Sequence, residues 1–525
     1  MVISPQKLWE SYSRSLLPLE VSEIGSKKLS YGSEKRVYFN GEATAMGCTR
    51  VYCRHIVPEE ETNKAILIFL SPEYDIHAAD FSIFTEKGMA VIAVDYAGKT
   101  FGRERYTIYP NALSFANYNS EKIYEPVHTT SKSCWYVWTT VCMRAITYAE
   151  NAGYEKVALL GVGIGGSFTY RAAAIDDFPC CAVSLFSPGF FPQSSDAEFL
   201  AVSASLSASS YSPLIKIPYL EMCCSNDLDS SLDSISELRD LSTDKSILYI
   251  EPRKDRAFTT DMAKNLEIFL AYYLSENREE EIAPKVSLSS YGEGKNLYFS
   301  LKCEDTLEKV ELFVSHGITN PAYRNWRAYT TEKVGEYEYL GRSEVYLPDK
   351  PVYGFARITT KSGFLFSTPI VKKIPSALKI IPATIAKQRL IYESDMGVDD
   401  FFAVNASENP ELKLGPYDIQ GISAKSGLCT YKLGDVVFGG TRDGLLQLLV
   451  FSSVKQTVTF SVTDEINYNT YVCTKTVSPE NDWNKLLLSP SDFKSGEGNL
   501  SGWDKAIFLR IDYKEEILIN SLLWV

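Results

Sequence analysis

The stretch that most constrains this chain is Val157-Ala158-Leu159-Leu160-Gly161-Val162-Gly163-Ile164-Gly165-Gly166-Ser167-Phe168. An apolar run, a glycine cluster and a new amphipathic pattern read as a buried strand, a sharp turn and a helix. From about residue 30 to 275 the chain repeats that alternation, the signature of a mainly parallel sheet with helices on both faces. The runs at 65–70, 90–95, 157–160 and 181–186 are almost continuously apolar, as expected of strands covered on both sides. Residues 218–223 and 246–250 read as later strands. Residues 133–150 and 260–274 read as helices, the second opened by the capping run Thr259-Thr260-Asp261.

At 525 residues the chain is several times the usual domain size of roughly 100–200 residues, so about three domains are expected. The first, 1–280 with its core from about residue 30, ends in the charged run 275–281, after which Pro284 follows and helical periodicity disappears. Residues 285–289, 297–302, 309–314 and 352–357 alternate like half-buried antiparallel strands. The spacing predicts a small β-sandwich of immunoglobulin or fibronectin type over 284–375. A further strand-patterned region, 381–525, follows a second boundary near 372–382. The 33 tyrosines and 45% hydrophobic residues fit a β-rich, folded chain.

Net charge is −13 and the 53 basic residues are scattered, so no electrostatic footprint for a phosphate backbone exists and nucleic acid is not expected as a partner. Residues 1–10 lack the pattern of a secretion signal, and no later run reaches the roughly 20 apolar residues of a membrane span. Eleven cysteines, an odd number, include the vicinal pairs Cys180-Cys181 and Cys223-Cys224 within apolar runs, where they are expected as small core residues of a protein in the reducing cytoplasm. His55, His77, His128 and His316 form no pair at metal-binding spacing, so no metal is expected, and no cofactor.

The glycine turn resembles the nucleophile elbow of the α/β-hydrolase superfamily, in the branch of acetyl-xylan esterases and dienelactone-hydrolase-like proteins, and the resemblance extends over about 36–274. In that family the turn is G-x-S-x-G and presents a serine to its base. Here Gly163 holds the serine's place. The resemblance places the family's acid at Asp227, in Cys224-Ser225-Asn226-Asp227, with Asp229 as the fallback. The family's histidine falls at Arg256, in Pro252-Arg253-Lys254-Asp255-Arg256-Ala257-Phe258, and arginine cannot act as a base. At the oxyanion loop stands Ser71-Pro72, and proline donates no N–H. Three altered positions together imply lost catalysis, with Asp227 and Arg256 expected to form a structural ion pair. Ser167 is expected to pack or cap behind the turn, and His77, near the sheet's ligand-binding edge, is a candidate for lining the vestigial pocket.

The final stretch, 481–525, with Trp483, Ser491-Asp492-Phe493, Trp503-Asp504 and the closing strand 517–525, resembles a carbohydrate-binding module of β jelly-roll type. That resemblance implies buried positions for Trp483, Phe493 and Trp503. Sugars stack on aromatic faces while polar side chains bond their hydroxyls, which makes Tyr431, Gln447, Tyr468 and Tyr471 the candidate binding residues.

These features predict a multidomain α/β plus all-β protein: an inactive α/β-hydrolase-like domain, an immunoglobulin-like sandwich and a jelly roll. The expected role is to bind a glycan or glycoprotein, or to hold a protein partner that processes one. An esterase, deacetylase or acyltransferase with a displaced nucleophile is the enzymatic alternative, and a purely structural interaction protein the third.

Overall fold

The computed structural model describes residues 3–525 except 101–102, 126, 188, 190, 192–193, 276–281, 480–481 and 497. The charged run expected at the first boundary, and Asn481, therefore lie outside the described residues, apart from Ser275. Among the described residues no helix is long and apolar enough to cross a membrane.

The chain opens with the short helix α1 (Pro5–Trp9) and three antiparallel strands, β1 (Ser22–Leu29), β2 (Gly32–Thr44) and β3 (Gly47–Pro58). The α/β alternation follows: β4 (Lys64–Phe69), α2 (Ser82–Thr85), β5 (Ala90–Val94), α3 (Cys134–Asn151), β6 (Lys156–Val162), α4 (Gly166–Ile175) and β7 (Cys181–Leu185). Helices α5 (Ala197–Leu206) and α6 (Ala208–Tyr211) then lead to β8 (Tyr219–Cys224), α7 (Leu232–Leu241), β9 (Ser246–Glu251) and α8 (Thr260–Tyr273). The order across the sheet is β1-β2-β3-β5-β4-β6-β7-β8-β9, parallel from β5 onward. The strands read from apolar runs form almost residue for residue, because they are buried on both faces. Thr259 caps α8, accepting the Met262 N–H. The long strands β2 and β3 carry too many polar residues to announce themselves as continuous apolar runs.

The middle region comprises β10 (Val286–Glu293), β11 (Asn296–Cys303), β12 (Lys309–His316), β13 (Arg327–Tyr329), β14 (Thr331–Gly335), β15 (Glu338–Glu344), β16 (Val352–Thr359), β17 (Leu365–Ser367) and β18 (Val371–Lys373). They form two layers, β10-β11-β15-β14 and β17-β16-β12-β13, whose inner faces meet through Leu297, Phe299, Leu312, Val314 and Val352. The second layer is not separate. Strand β17 pairs with β9 at Ser367 and Leu248, and the Ser367 hydroxyl accepts the Ile250 N–H at 3.0 Å, so this layer continues the α/β sheet.

The C-terminal region runs β19 (Leu390–Glu393), β20 (Phe402–Ala403), β21 (Glu411–Leu414), β22 (Gln420–Ser423), β23 (Leu428–Thr430), β24 (Leu446–Ser452), β25 (Gln456–Asp464), β26 (Thr470–Val477), β27 (Asn484–Leu488), β28 (Lys494–Ser495), β29 (Gly498–Asn499), β30 (Ala506–Asp512) and β31 (Ile517–Trp524). Two antiparallel sheets, β21-β22-β31-β24-β27 with β19 beside β31, and β20-β23-β30-β25-β26-β28-β29, enclose one apolar core.

Candidate functional site

Strand β6 ends in the glycine turn at the carboxyl edge of the parallel sheet, where such sheets place their ligands. Gly163 has φ +57°, and a β-carbon on Gly165 would lie 1.9 Å from the Phe69 carbonyl oxygen. The turn thus needs glycine twice, once for a left-handed backbone and once for close approach to β4. A β-carbon at 163 would come within 3.1 Å of both the Ser71 hydroxyl and the Arg256 guanidinium. These two side chains therefore crowd the place that a side chain at 163 would take.

Asp227 follows β8 and is buried. Its Oδ1 accepts the N–H groups of Asp229 at 2.8 Å and Ser230 at 3.1 Å, while its Oδ2 lies 3.8 Å from Arg256 Nε. Neither Oδ2 nor Nε has a hydrogen-bond partner among the described residues. The closer ion pair of Arg256 is to the fallback carboxylate Asp229, at 2.8 Å, and the same guanidinium donates to the Phe186 carbonyl at 3.1 Å. Burial pushes the Asp227 carboxyl up to about 6, against the pull of Arg256 and the two N–H donors.

Ser71 is buried and donates to Glu73, whose other oxygen accepts the Tyr118 hydroxyl at 2.7 Å. Burial raises the Glu73 carboxyl, but the hydroxyls of Ser71 and Tyr118 outweigh it and hold the group below the ordinary carboxylate value. A carboxylate so stabilised is a weak base for a serine hydroxyl, since general bases act best with a pKa near the working pH. Sequence reading noted Ser71-Pro72 only for the missing N–H. The serine and carboxylate two residues apart in Ser71-Pro72-Glu73 were the available signal.

The other candidates lie apart. The His77 ring meets the Arg105 carbonyl at 2.9 Å and the Tyr52 hydroxyl at 3.5 Å. Ser167 is buried in the first turn of α4, 3.5 Å from the Ser187 hydroxyl. Tyr431 is buried against Phe402 and Phe508, and Tyr471 is buried in the C-terminal core. Tyr468 stacks on Tyr323 of the middle region, with ring centroids 5.7 Å apart. Gln447 sits on the outer face of β24, opposite the inward Leu446 and Leu448. The structure does not bring these four together. None of the eleven cysteines forms a disulfide in the described structure, and Cys181, Cys223 and Cys224 are buried while Cys180 is partly so. Among the described residues no group of three metal-binding side chains occurs.

One expectation is corrected. Phe493 and Trp503 are buried, but Trp483 is only half-buried and lies outside the core, beside Phe451 and over Gly415 and Gly421, whose missing side chains leave room for its ring. Next to it Tyr417, 73% exposed, and Asp418 both hold left-handed backbones, at φ +60° and +58°. Such strain in residues with a β-carbon is uncommon and gathers at functional sites. Tyr417 carried no sequence signal.

The turns after β8 and β9 reach beyond the α/β region. Asn226 donates to the carbonyls of Ala322 at 3.1 Å and Arg324 at 2.9 Å. Arg253 donates to the carbonyls of Trp326 at 2.9 Å and Asp399 at 3.3 Å, and Lys254 to Asn409 at 3.2 Å. Arg324, buried, forks onto Asp233 of α7, with one pairing at 2.7 Å, and lies over the Tyr353 ring.

No protein-family model matches the chain, and no curated protein matches it in sequence. Acetyl xylan esterase 1 from Thermoanaerobacterium sp. JW/SL YS485 aligns in structure with 50% of this chain and 90% of its own, at 13% identity and a TM-score of 0.42. For the acetyl xylan esterase from Paenibacillus sp. R4 the figures are 49%, 90%, 12% and 0.38. For a cold-adapted esterase from an Arctic intertidal metagenomic library they are 48%, 100%, 14% and 0.35. The α/β-hydrolase-like character of this chain's first half is carried by its own strand order and glycine turn.

Proposed function

We propose that this chain is a non-hydrolytic α/β-hydrolase-like protein that binds a glycan or glycoconjugate, or holds a partner that processes one. The observation that carries the loss of hydrolysis is the elbow itself: Gly163 offers no nucleophile, and Ser71 and Arg256 crowd the place a side chain there would take. Glycan recognition is supported on the outer face of the C-terminal region, where Trp483, Phe451 and the exposed Tyr417 offer aromatic surface. Gln447 lies on the same outer face, while the buried Tyr431 and Tyr471 and the stacked Tyr468 lie apart from it.

The same reading takes 1–280, 284–375 and 381–525 as three domains. The layers β10-β11-β15-β14 and β13-β12-β16-β17 support an immunoglobulin-like sandwich, and the paired C-terminal sheets support a jelly roll. A cytoplasmic setting completes the reading.

The test is reaction of the full chain with a fluorophosphonate probe and turnover of p-nitrophenyl acetate, alongside a Gly163→Ser, Arg256→His double variant. Wild type is expected to stay unlabelled and inactive. Labelling of wild type would overturn the proposal, and its site would identify the nucleophile. Glycan-array binding lost in Trp483→Ala and Tyr417→Ala would support the recognition surface, whereas unchanged binding would move it elsewhere.

A second reading has one observation in its favour. Ser71 lies beside the elbow and is hydrogen-bonded to a carboxylate, so a displaced-nucleophile esterase or acyltransferase predicts labelling that Ser71→Ala abolishes.

A further inference from the structure

A cavity of about 550 Å³ opens at the carboxyl ends of β4, β6 and β7, below the Arg256 loop. Its inner wall is apolar, built from Ile68, Leu160, Leu185, Phe84 and Leu266. Its mouth carries large apolar side chains in contact with water: Ile83 is 50% exposed, Tyr74 45% and Phe258 39%. Ser407, from the C-terminal region, closes one side. The volume lies within the range of small-molecule sites, and an apolar wall with an apolar mouth favours a ligand that is mostly hydrocarbon.

The charges around the mouth select its head group. Asp75 and Asp80 both line the cavity. Asp80 accepts from the N–H and hydroxyl of Ser82 and from the Tyr31 hydroxyl, which keep it ionised. Among the described residues Arg256 is the cation that lines the wall, and it is paired with Asp229 at 2.8 Å and donates to the Phe186 carbonyl, with Asp227 3.8 Å away; Arg54, over the Phe81 ring, is taken up by Glu34 at 2.8 Å and the Ala79 carbonyl. An anionic head would meet Asp75 and Asp80, with no uncommitted cation among the described lining residues to receive it. We infer that this cavity binds the hydrocarbon chain of a single-chain amphiphile whose head is uncharged or cationic. The inference does not depend on the loss of hydrolysis, because it concerns the apolar wall and not the elbow.

The test titrates the full chain calorimetrically with n-decyl maltoside, decyltrimethylammonium and decanoate, each below its micellar concentration and none an ester. The first two are expected to saturate one site, with decanoate weaker by about tenfold or more. Ala79→Trp, which places a ring in the cavity, is expected to lose binding by about the same factor while keeping the wild-type thermal transition. Should that variant fail to fold, Ile83→Ser at the exposed mouth takes its place, with a weakening of about threefold. Asp75→Asn with Asp80→Asn is expected to strengthen decanoate alone. Saturation by decanoate as tight as by the ammonium, no saturation by any of the three, or unchanged binding in the mouth and cavity variants would each overturn the inference.

Discussion

The glycine turn after β6 and the two turns after β8 and β9 stand at one edge of one sheet, yet they differ in what fixes them. The β6 turn keeps a backbone that presents a side chain and carries none to present. The other two keep side chains, Asp227 and Arg256, while their neighbours Asn226, Arg253 and Lys254 hold the middle and C-terminal regions. A backbone geometry is fixed by packing around it, as the Phe69 carbonyl fixes Gly165. A loop is fixed only by what it touches, and the turns after β8 and β9 touch the middle and C-terminal regions.

That contrast is broken or sharpened by measuring what each turn contributes. The largest effect is expected at Arg324→Ala, which removes a buried guanidinium from Asp233 and from carbonyls of its own loop, costing about 3 kcal/mol in chemical denaturation. A much smaller loss would mean that the junction between α7 and the middle region is dispensable. Next comes Glu221 on β8, which accepts the hydroxyls of Ser184 on β7 and, at 2.8 Å, of Tyr170 on α4. Burial raises its carboxyl to about 8, with those hydroxyls pulling the other way. The unfolded chain releases this proton near its ordinary value and the folded chain holds it longer, so its contribution is full below about pH 4.5 and is lost as pH rises toward 8, at roughly 1 kcal/mol per unit. Glu221→Gln is expected to flatten stability over that window, and an unchanged slope would remove Glu221 as its cause.

Asn226→Ala is expected to cost about 1–2 kcal/mol by orphaning two carbonyls. Lys254→Ala, an exposed contact, should cost less than about 0.5 kcal/mol. If Gly163→Ser alone proves more costly than Asn226→Ala, the elbow is held more tightly by its surroundings than the stapling turns are by theirs.

Much of the α/β half was legible in sequence, because strands buried on both faces must be apolar throughout and the turn at 161–166 must be glycine-rich. Asp227 and Arg256 stand in the turns that follow β8 and β9, but the preference of Arg256 for Asp229 was not legible, since it depends on a side chain reaching across the Asp227 turn. Trp483 was misplaced because its exposure is decided by two glycines, Gly415 and Gly421, more than sixty residues earlier. The stapling by Asn226 and Lys254 was invisible for the same reason: their acceptors lie in other regions of the chain.

The pairing of β9 with β17 also disposes of a hazard. An outer strand of a parallel sheet offers a row of unmatched N–H and C=O groups to any other chain, which is how edge-to-edge aggregation begins. Here Ser367 caps that row at Leu248 and Ile250. The first 275 residues expressed alone would bare it, and self-association through β9 is the behaviour expected of such a fragment.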